Sequence, residues 1–89
     1  MSNKKNVSIE EIENQLLHFL KSNIIDKSVE ANKDISFQTL KIDSLSTVEM
    51  ILFLERKYQV TIPEHELVPD NFKSVKTLAT CALRCLQNG

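Results

Sequence analysis

The centre of the chain reads Ile42-Asp43-Ser44-Leu45-Ser46-Thr47-Val48-Glu49-Met50. Asp43 is a favourable N-cap, because its carboxylate can accept hydrogen bonds from the free N–H groups of a first helical turn. Ser44 then falls at the first helical position, outside the core. A phosphate ester formed there would lie at the positive end of the helix dipole, beside unpaired backbone donors. Since the sequence supplies no partner that would activate this hydroxyl, we interpret Ser44 as a residue that another protein modifies.

The run Asp43-Ser44-Leu45 resembles the attachment site of the acyl and peptidyl carrier proteins. In that family a separate transferase moves a 4'-phosphopantetheine arm from coenzyme A to the serine. Residues 37–42 are similar to the family's approach segment, and residues 48–63 resemble its second helix and the exit into a proline. The likeness extends over residues 8–86. It implies that Ser44 bears the arm and that Asp43 and Leu45 help the phosphopantetheinyl transferase to recognise the site.

Two positions depart from the family pattern. Lys41 stands where most relatives have a glycine before the aspartate, and Gln59 stands where they often have one after the second helix. Gly89 is the only glycine of the chain. Any left-handed turn residue must therefore be a non-glycine residue, for which asparagine, aspartate or lysine is expected.

Length and charge restrict the possible functions. The 89 residues predict one carrier domain with a core over residues 8–86 and flexible ends at residues 1–7 and 87–89. So short a chain has no room for a deep catalytic cleft, so we do not expect an enzyme. The formal charge is −1 and the lysines are scattered along the chain, so the sequence shows no basic patch that would bind nucleic acid. The polar amino terminus and the lack of a long apolar run predict a cytoplasmic protein without membrane contact.

Periodic apolar residues predict an all-α fold. A first helix begins at the capping box Ser8-Ile9-Glu10-Glu11 and ends near Ile25, and a long loop follows to about Lys41. A second helix is expected from about Ser44 to Tyr58, a single short turn after Pro63, and a last helix capped by Ser74. The family likeness makes this a small four-helix bundle of the acyl carrier protein type, with three main helices, one short helix and a long first loop.

The second helix carries more apolar residues than one buried stripe can use. By spacing, we expect its core face to consist of Leu45, Val48, Ile51, Leu52, Leu54 and Tyr58. Met50 and Phe53 fall outside that stripe and belong either to the side of the core or to a partner surface. Because the family docks its partners through this helix, we predict that a partner surface includes Thr47, Val48, Met50 and Phe53.

Other candidate sites favour structural roles. Cys81 and Cys85 lie four residues apart in the last helix, where neither a metal site nor a disulfide across one helical turn is expected, and no metal is predicted. His65 follows Pro63 without an orienting acid, so we expect it to face solvent.

The sequence therefore predicts a monomeric carrier that holds an aminoacyl, peptidyl or acyl intermediate as a thioester. Its partners would be the transferase, an adenylating or acyl-transferring enzyme, and downstream condensing or transferring enzymes. A second helix with few acids favours nonribosomal peptide or related secondary-metabolite biosynthesis. An acyl carrier of fatty-acid or polyketide synthesis remains an alternative, and a small helical adaptor is a rival of another class.

Overall fold

The computed structural model describes residues 7–88, and within that range the regular structure is entirely helical. Helix α1 spans Ile9–Asn23, α2 spans Ser44–Tyr58 and α3 spans Val75–Asn88. Two 3-10 turns, Glu64–Glu66 and Pro69–Phe72, connect α2 to α3. The all-α prediction is confirmed, and the two turns take the place of the single short helix. Residues 1–6 and 89 of the predicted flexible ends lie outside the described residues, while α3 continues through Asn88.

All three main helices begin at predicted cap residues. Ser8 Oγ accepts a hydrogen bond from Glu11 N at 3.1 Å, and Ser74 Oγ accepts one from Thr77 N at 3.3 Å. Asp43 caps α2 in the same way, as described below for the site. Each cap satisfies a backbone donor that the helix itself leaves without a partner.

Within residues 7–88, the two non-glycine positions noted in the sequence are the two that adopt positive φ. Lys41 has φ 59° and Gln59 has φ 51°, and they bracket α2 on either side. Gln59 ends the helix with its N–H bonded to the carbonyl oxygen of Glu55. The expectation of left-handed non-glycine residues is confirmed, with lysine as foreseen and glutamine in addition.

The core forms where the three helices meet. Its buried members from α1 and α3 recur at steps of three and four residues along each helix, and Leu83 packs partly buried beside them. Helices α1 and α2 run antiparallel, since Tyr58 near the end of α2 donates to Glu11 near the start of α1 at 3.4 Å. The buried members of this core are Ile12, Leu16, Leu20, Phe37, Met50, Leu54, Tyr58, Val75, Leu78, Ala79, Ala82 and Leu86.

The expected core face of α2 is correct for the buried Leu54 and Tyr58, but the helix is rotated relative to the rest of the predicted stripe. Met50 is 0% exposed, whereas Leu45 and Val48 are 69% and 48% exposed. Leu52 is also exposed, and Phe53 is half-buried because its ring stacks on Phe19 with centroids 4.5 Å apart. The side facing α1 and α3 therefore follows Met50, Leu54 and Tyr58 at steps of four residues.

The long first loop is fastened to the start of α3. Phe37 N donates to the carbonyl oxygen of Lys73 at 2.7 Å, and Lys76 N donates to that of Lys33 at 3.0 Å. The Lys33 ammonium lies 3.8 Å from the buried carboxylate of Glu13, so this residue also ties the loop to α1. Phe37 is buried, and Leu40 and Ile42 pack partly buried against the core.

Cys81 and Cys85 are free and buried beside Ile62 in a small second cluster. Burial raises the pKa of the Cys81 thiol to about 12 and raises that of Cys85 as well. Both thiols therefore stay protonated near neutral pH and pack as small apolar groups.

Within residues 7–88, no helix is long and apolar enough to cross a bilayer.

Candidate functional site

Ser44 is exposed at the first residue of α2. The preceding Asp43 has extended backbone, and its Oδ1 accepts a hydrogen bond from Ser46 N at 2.8 Å. That bond lowers the pKa of the Asp43 carboxyl, so the cap remains ionised at neutral pH. The cap leaves the N–H groups of the first two helical residues without an intrahelical acceptor, directly beside the serine hydroxyl.

Thr47 reinforces this helix start. Both its N–H and its hydroxyl donate to the carbonyl oxygen of Asp43, at 3.1 and 3.0 Å. Together with the Asp43–Ser46 bond, this fixes the backbone on which Ser44 stands. The structure thus shows a local positioning role for Thr47, whereas its predicted contact with a partner stays a prediction.

The segment before Asp43 is a tight, internally bonded turn. Leu40 N donates to the carbonyl oxygen of Ser36, and Ile42 N donates to that of Phe37 at 2.9 Å. Lys41 completes the turn in the left-handed conformation. Because Phe37 is also bonded to the start of α3, the chain reaches Ser44 from a fixed direction.

An open groove of about 500 Å³ lies beside the serine. On its α2 side are Ser44, Thr47 and Val48, and its far side is formed by Leu67 and Phe72 from the connection to α3. Asp43 is the only ionisable residue among those that line it. The groove therefore offers mainly apolar contact to whatever is attached at Ser44.

A polar cluster holds the far side of this groove in place. Arg84 Nη2 on α3 donates to Glu66 Oε1 at 2.7 Å, and Asn71 Nδ2 donates to the carbonyl oxygen of Glu66 at 2.6 Å. These contacts join the two 3-10 turns to α3 and so position Leu67 and Phe72. The sequence analysis missed this cluster, because Glu66 and Arg84 are 18 residues apart and follow no motif.

The predicted partner surface needs one correction. Met50 is 0% exposed, so its side chain cannot contact a partner, and of the two positions expected for it the one in the core is correct. Leu45 and Val48 face solvent on the same side of α2, and they are joined by Leu52, which the sequence analysis placed in the core. We call these three residues the apolar ridge of α2. Phe53 exposes only part of its ring.

Both histidines lie outside the groove beside Ser44. His65 has a side chain that is 78% exposed, as predicted, and lies 3.9 Å from a carboxylate oxygen of Glu66. Within residues 7–88, no three His, Cys, Asp or Glu side chains come together in a group that could hold a metal ion.

Comparison with known proteins identifies a family. The model of a family described as "Phosphopantetheine attachment site" matches residues 22–82, which include the Asp43-Ser44-Leu45 run. Two proteins of Bradyrhizobium diazoefficiens are similar over most of their length. Aminoacyl carrier protein 2 is 25% identical over 88% of this chain and 90% of its own, and aminoacyl carrier protein 1 is 28% identical over 86% and 88%. No solved structure matches the chain significantly.

Proposed function

Since this chain belongs to the phosphopantetheine attachment-site family, we propose that Ser44 is the residue to which its 4'-phosphopantetheine is joined. The observation that carries this proposal is the position of Ser44, exposed at the capped start of α2 beside an apolar groove. Ser46 is partly buried two residues further along the helix, with its N–H bonded to Asp43. Ser44 therefore offers the more accessible hydroxyl of this turn.

The family to which the chain belongs is one of carriers, and a carrier has no catalytic machinery of its own. When attached, the phosphopantetheine supplies a terminal thiol that holds the cargo as a thioester. The surroundings of Ser44 fit such a group, since a phosphodiester there meets the positive end of the α2 dipole and free backbone donors. The groove bounded by Val48, Leu67 and Phe72 offers apolar contact to the less polar part of the arm.

On this proposal the chain contributes two things, a surface that partner enzymes recognise and a fixed attachment point for the arm. A cargo held on a flexible arm meets the active site of a docked enzyme at a high effective concentration, provided that the arm reaches it. Asp43 and Thr47 hold the helix start rigid, so the origin of the arm is fixed relative to the docking surface. We infer a monomer in the cytoplasm, served by a phosphopantetheinyl transferase and then by enzymes that load and use the cargo.

The cargo that we propose is aminoacyl or peptidyl. Both relatives named above are aminoacyl carrier proteins, at 25% and 28% identity. The charge of α2 supports the same choice, because Glu49 and Glu55 are its only acids and Arg56 and Lys57 follow them. A partner with a strongly basic docking patch would find little attraction on this helix. Nonribosomal peptide or related secondary-metabolite biosynthesis is therefore favoured over fatty-acid synthesis.

We further propose that the enzymes acting at Ser44 dock on the apolar ridge of α2. Leu45, Val48 and Leu52 are exposed on one side of the helix, and Val48 also lines the groove next to Ser44. Exposed apolar side chains in a row are typical of a protein contact surface. This surface keeps Val48 of the partner surface predicted from the sequence and excludes Met50, which is buried.

The attachment residue is tested by intact-mass analysis after incubation with coenzyme A and a promiscuous phosphopantetheinyl transferase. Ser44→Ala is expected to abolish the mass gain of one phosphopantetheine group, while the helical circular dichroism signal stays unchanged because alanine favours helices. Ser46→Ala is the matched control, which removes a neighbouring hydroxyl and should retain the full mass gain. Modification that persists in Ser44→Ala would disprove the assignment to this residue.

The cargo class is tested on the modified protein. Supplying purified adenylating enzymes together with amino acids should produce an aminoacyl mass increase. Fatty-acyl transfer enzymes with malonyl-coenzyme A should produce none under the same conditions. Loading by the fatty-acyl transfer enzymes alone would show that the carrier serves fatty-acid or polyketide synthesis. The assignment of Ser44 would remain intact.

A further inference from the structure

A second groove lies between the end of α1 and residues 49–57 of α2. It has a volume of about 630 Å³, and Phe19 and Asn23 line it from α1. Leu52 and Phe53 line it from α2, together with charged residues described below. It shares no lining residue with the groove beside Ser44.

The floor of this α1–α2 groove is aromatic. The rings of Phe19 and Phe53 stack with centroids 4.5 Å apart and an interplanar angle of 19°. Both residues are only partly buried, so part of the stacked pair remains open to solvent. Leu52, which also belongs to the apolar ridge of α2, is 43% exposed and continues this apolar surface. A partner apolar side chain placed here would gain burial without disturbing the core.

The rim of the groove is basic. Arg56 and Lys57 are exposed, and neither forms an ion pair with any residue in the range 7–88. Glu49 is the one acid that lines the groove. Two cations that make no ion pair within the described range, next to an apolar floor, are complementary to a segment that combines carboxylates with large apolar side chains.

We propose that the α1–α2 groove binds an acidic amphipathic segment of a partner protein. Its apolar side chains would rest on Phe19, Leu52 and Phe53, and its carboxylates would pair with Arg56 and Lys57. A membrane surface is disfavoured, because electrostatic binding to anionic lipid uses clusters of about four to eight basic residues and only two line this groove. The groove is also concave, which suits an inserted side chain.

This groove shares Leu52 with the apolar ridge of α2, but most of it lies away from the attachment residue. Arg56 lies 12 residues beyond Ser44 on one helix, which at 1.5 Å per residue is a separation of about 18 Å. A segment bound in the groove therefore leaves the groove beside Ser44 open. The proposal can be tested on the unmodified chain, and its failure would leave the assignment of Ser44 untouched.

The experiment is a nuclear magnetic resonance titration of the isotopically labelled full chain with two synthetic amphipathic peptides. The peptides share leucine and phenylalanine positions, and one carries glutamates where the other carries lysines. The acidic peptide is expected to give saturable amide shifts centred on Asn23, Phe53 and Lys57, whereas the basic peptide should not. Equal binding of both peptides, or shifts confined to the groove beside Ser44, would overturn the proposal.

Variants then test the role of charge. The double variant Arg56→Glu with Lys57→Glu should weaken binding of the acidic peptide about tenfold. Lys73→Glu with Lys76→Glu is the matched control, since it changes the net charge equally on exposed residues outside the groove and should leave the affinity unchanged. Circular dichroism checks that each variant is folded. If the charge-reversed variant unfolds, the neutral variant Arg56→Gln with Lys57→Gln replaces it, and it should also weaken binding of the acidic peptide.

Other occupants give different results. Binding to anionic phospholipid vesicles that Arg56→Glu with Lys57→Glu abolishes, without binding of the acidic peptide, would assign the groove to a membrane surface. Self-association in sedimentation that the same variant abolishes would assign it to a second copy of this chain. Either result would refute the proposal of an acidic protein partner.

Discussion

The rotation of α2 makes a sharp prediction about stability. Met50→Ala truncates a side chain that is 0% exposed, whereas Leu45→Ala truncates one that is 69% exposed on the same helix. Removing a fully buried side chain of this size costs about 2 to 5 kcal/mol of folding free energy. The cost is higher when the surrounding side chains cannot fill the cavity left behind. Leu45 retains only about a third of its possible burial, so its truncation should cost less than about 1 kcal/mol.

These free energies correspond to a measurable difference in melting temperature. A domain of this size loses about 4 to 8 °C for each kcal/mol, so a loss of about 3 kcal/mol in Met50→Ala lowers the midpoint by about 12 to 24 °C. Leu45→Ala should stay within about 8 °C of the parent on the same scale. Thermal and urea unfolding followed by far-ultraviolet circular dichroism measure both variants.

The comparison depends on the side of α2 that meets α1 and α3. Similar losses in the two variants, or a larger loss in Leu45→Ala, would show that the observed rotation is incorrect and that the face first expected from the sequence is the buried one. Met50→Leu serves as a control, because it keeps an apolar side chain of similar volume and should cost less than about 1.5 kcal/mol.

Three further predictions concern charge, burial and backbone. The Arg84 guanidinium lowers the pKa of Glu66 below its ordinary 4.5, so this ion pair stabilises the fold above that pH and is lost as the pH falls through the lower folded value. Urea midpoints should therefore fall less steeply in acid for Arg84→Gln than for the parent, and equal slopes would contradict this. Cys81 and Cys85 should resist alkylation by iodoacetamide at pH near 8 until denaturant is added, since burial keeps both thiols protonated; rapid labelling of the folded chain would argue against it. Lys41→Gly should stabilise the chain by about 0.5 to 1 kcal/mol in urea unfolding, because glycine accepts φ 59° without a Cβ clash, and a loss of stability would refute that reasoning.

Local signals in the sequence predicted the helix starts, and with them the position of Ser44 at the first residue of α2. Ser8, Asp43 and Ser74 act through hydrogen bonds to residues three positions on, and such bonds depend only on the sequence nearby. The sequence also predicted that residues other than glycine would adopt the left-handed conformation. Gly89 is the only glycine of the chain, so left-handed turns before it must use other residues.

The orientation of α2 was not predictable in the same way. Its residues 50–54 are all apolar, so a period of 3.6 residues fits more than one stripe. The choice between Met50 and Leu52 depends on where α1 and α3 lie, which no local pattern records. The contact of Phe19 with Phe53 and the pair of Glu66 with Arg84 likewise join residues far apart in sequence.

The attachment of the first loop to α3 bears on how the protein matures during synthesis. Phe37 and Lys33 bond to the backbone of Lys73 and Lys76, and the turn that delivers Ser44 begins at this anchor. A nascent chain that has not yet extended through Lys76 lacks the partners for these bonds. Because domains made on the ribosome fold as units, the serine reaches its presented form only when the C-terminal helix has emerged. Modification of Ser44, as proposed above, would then follow the synthesis of α3.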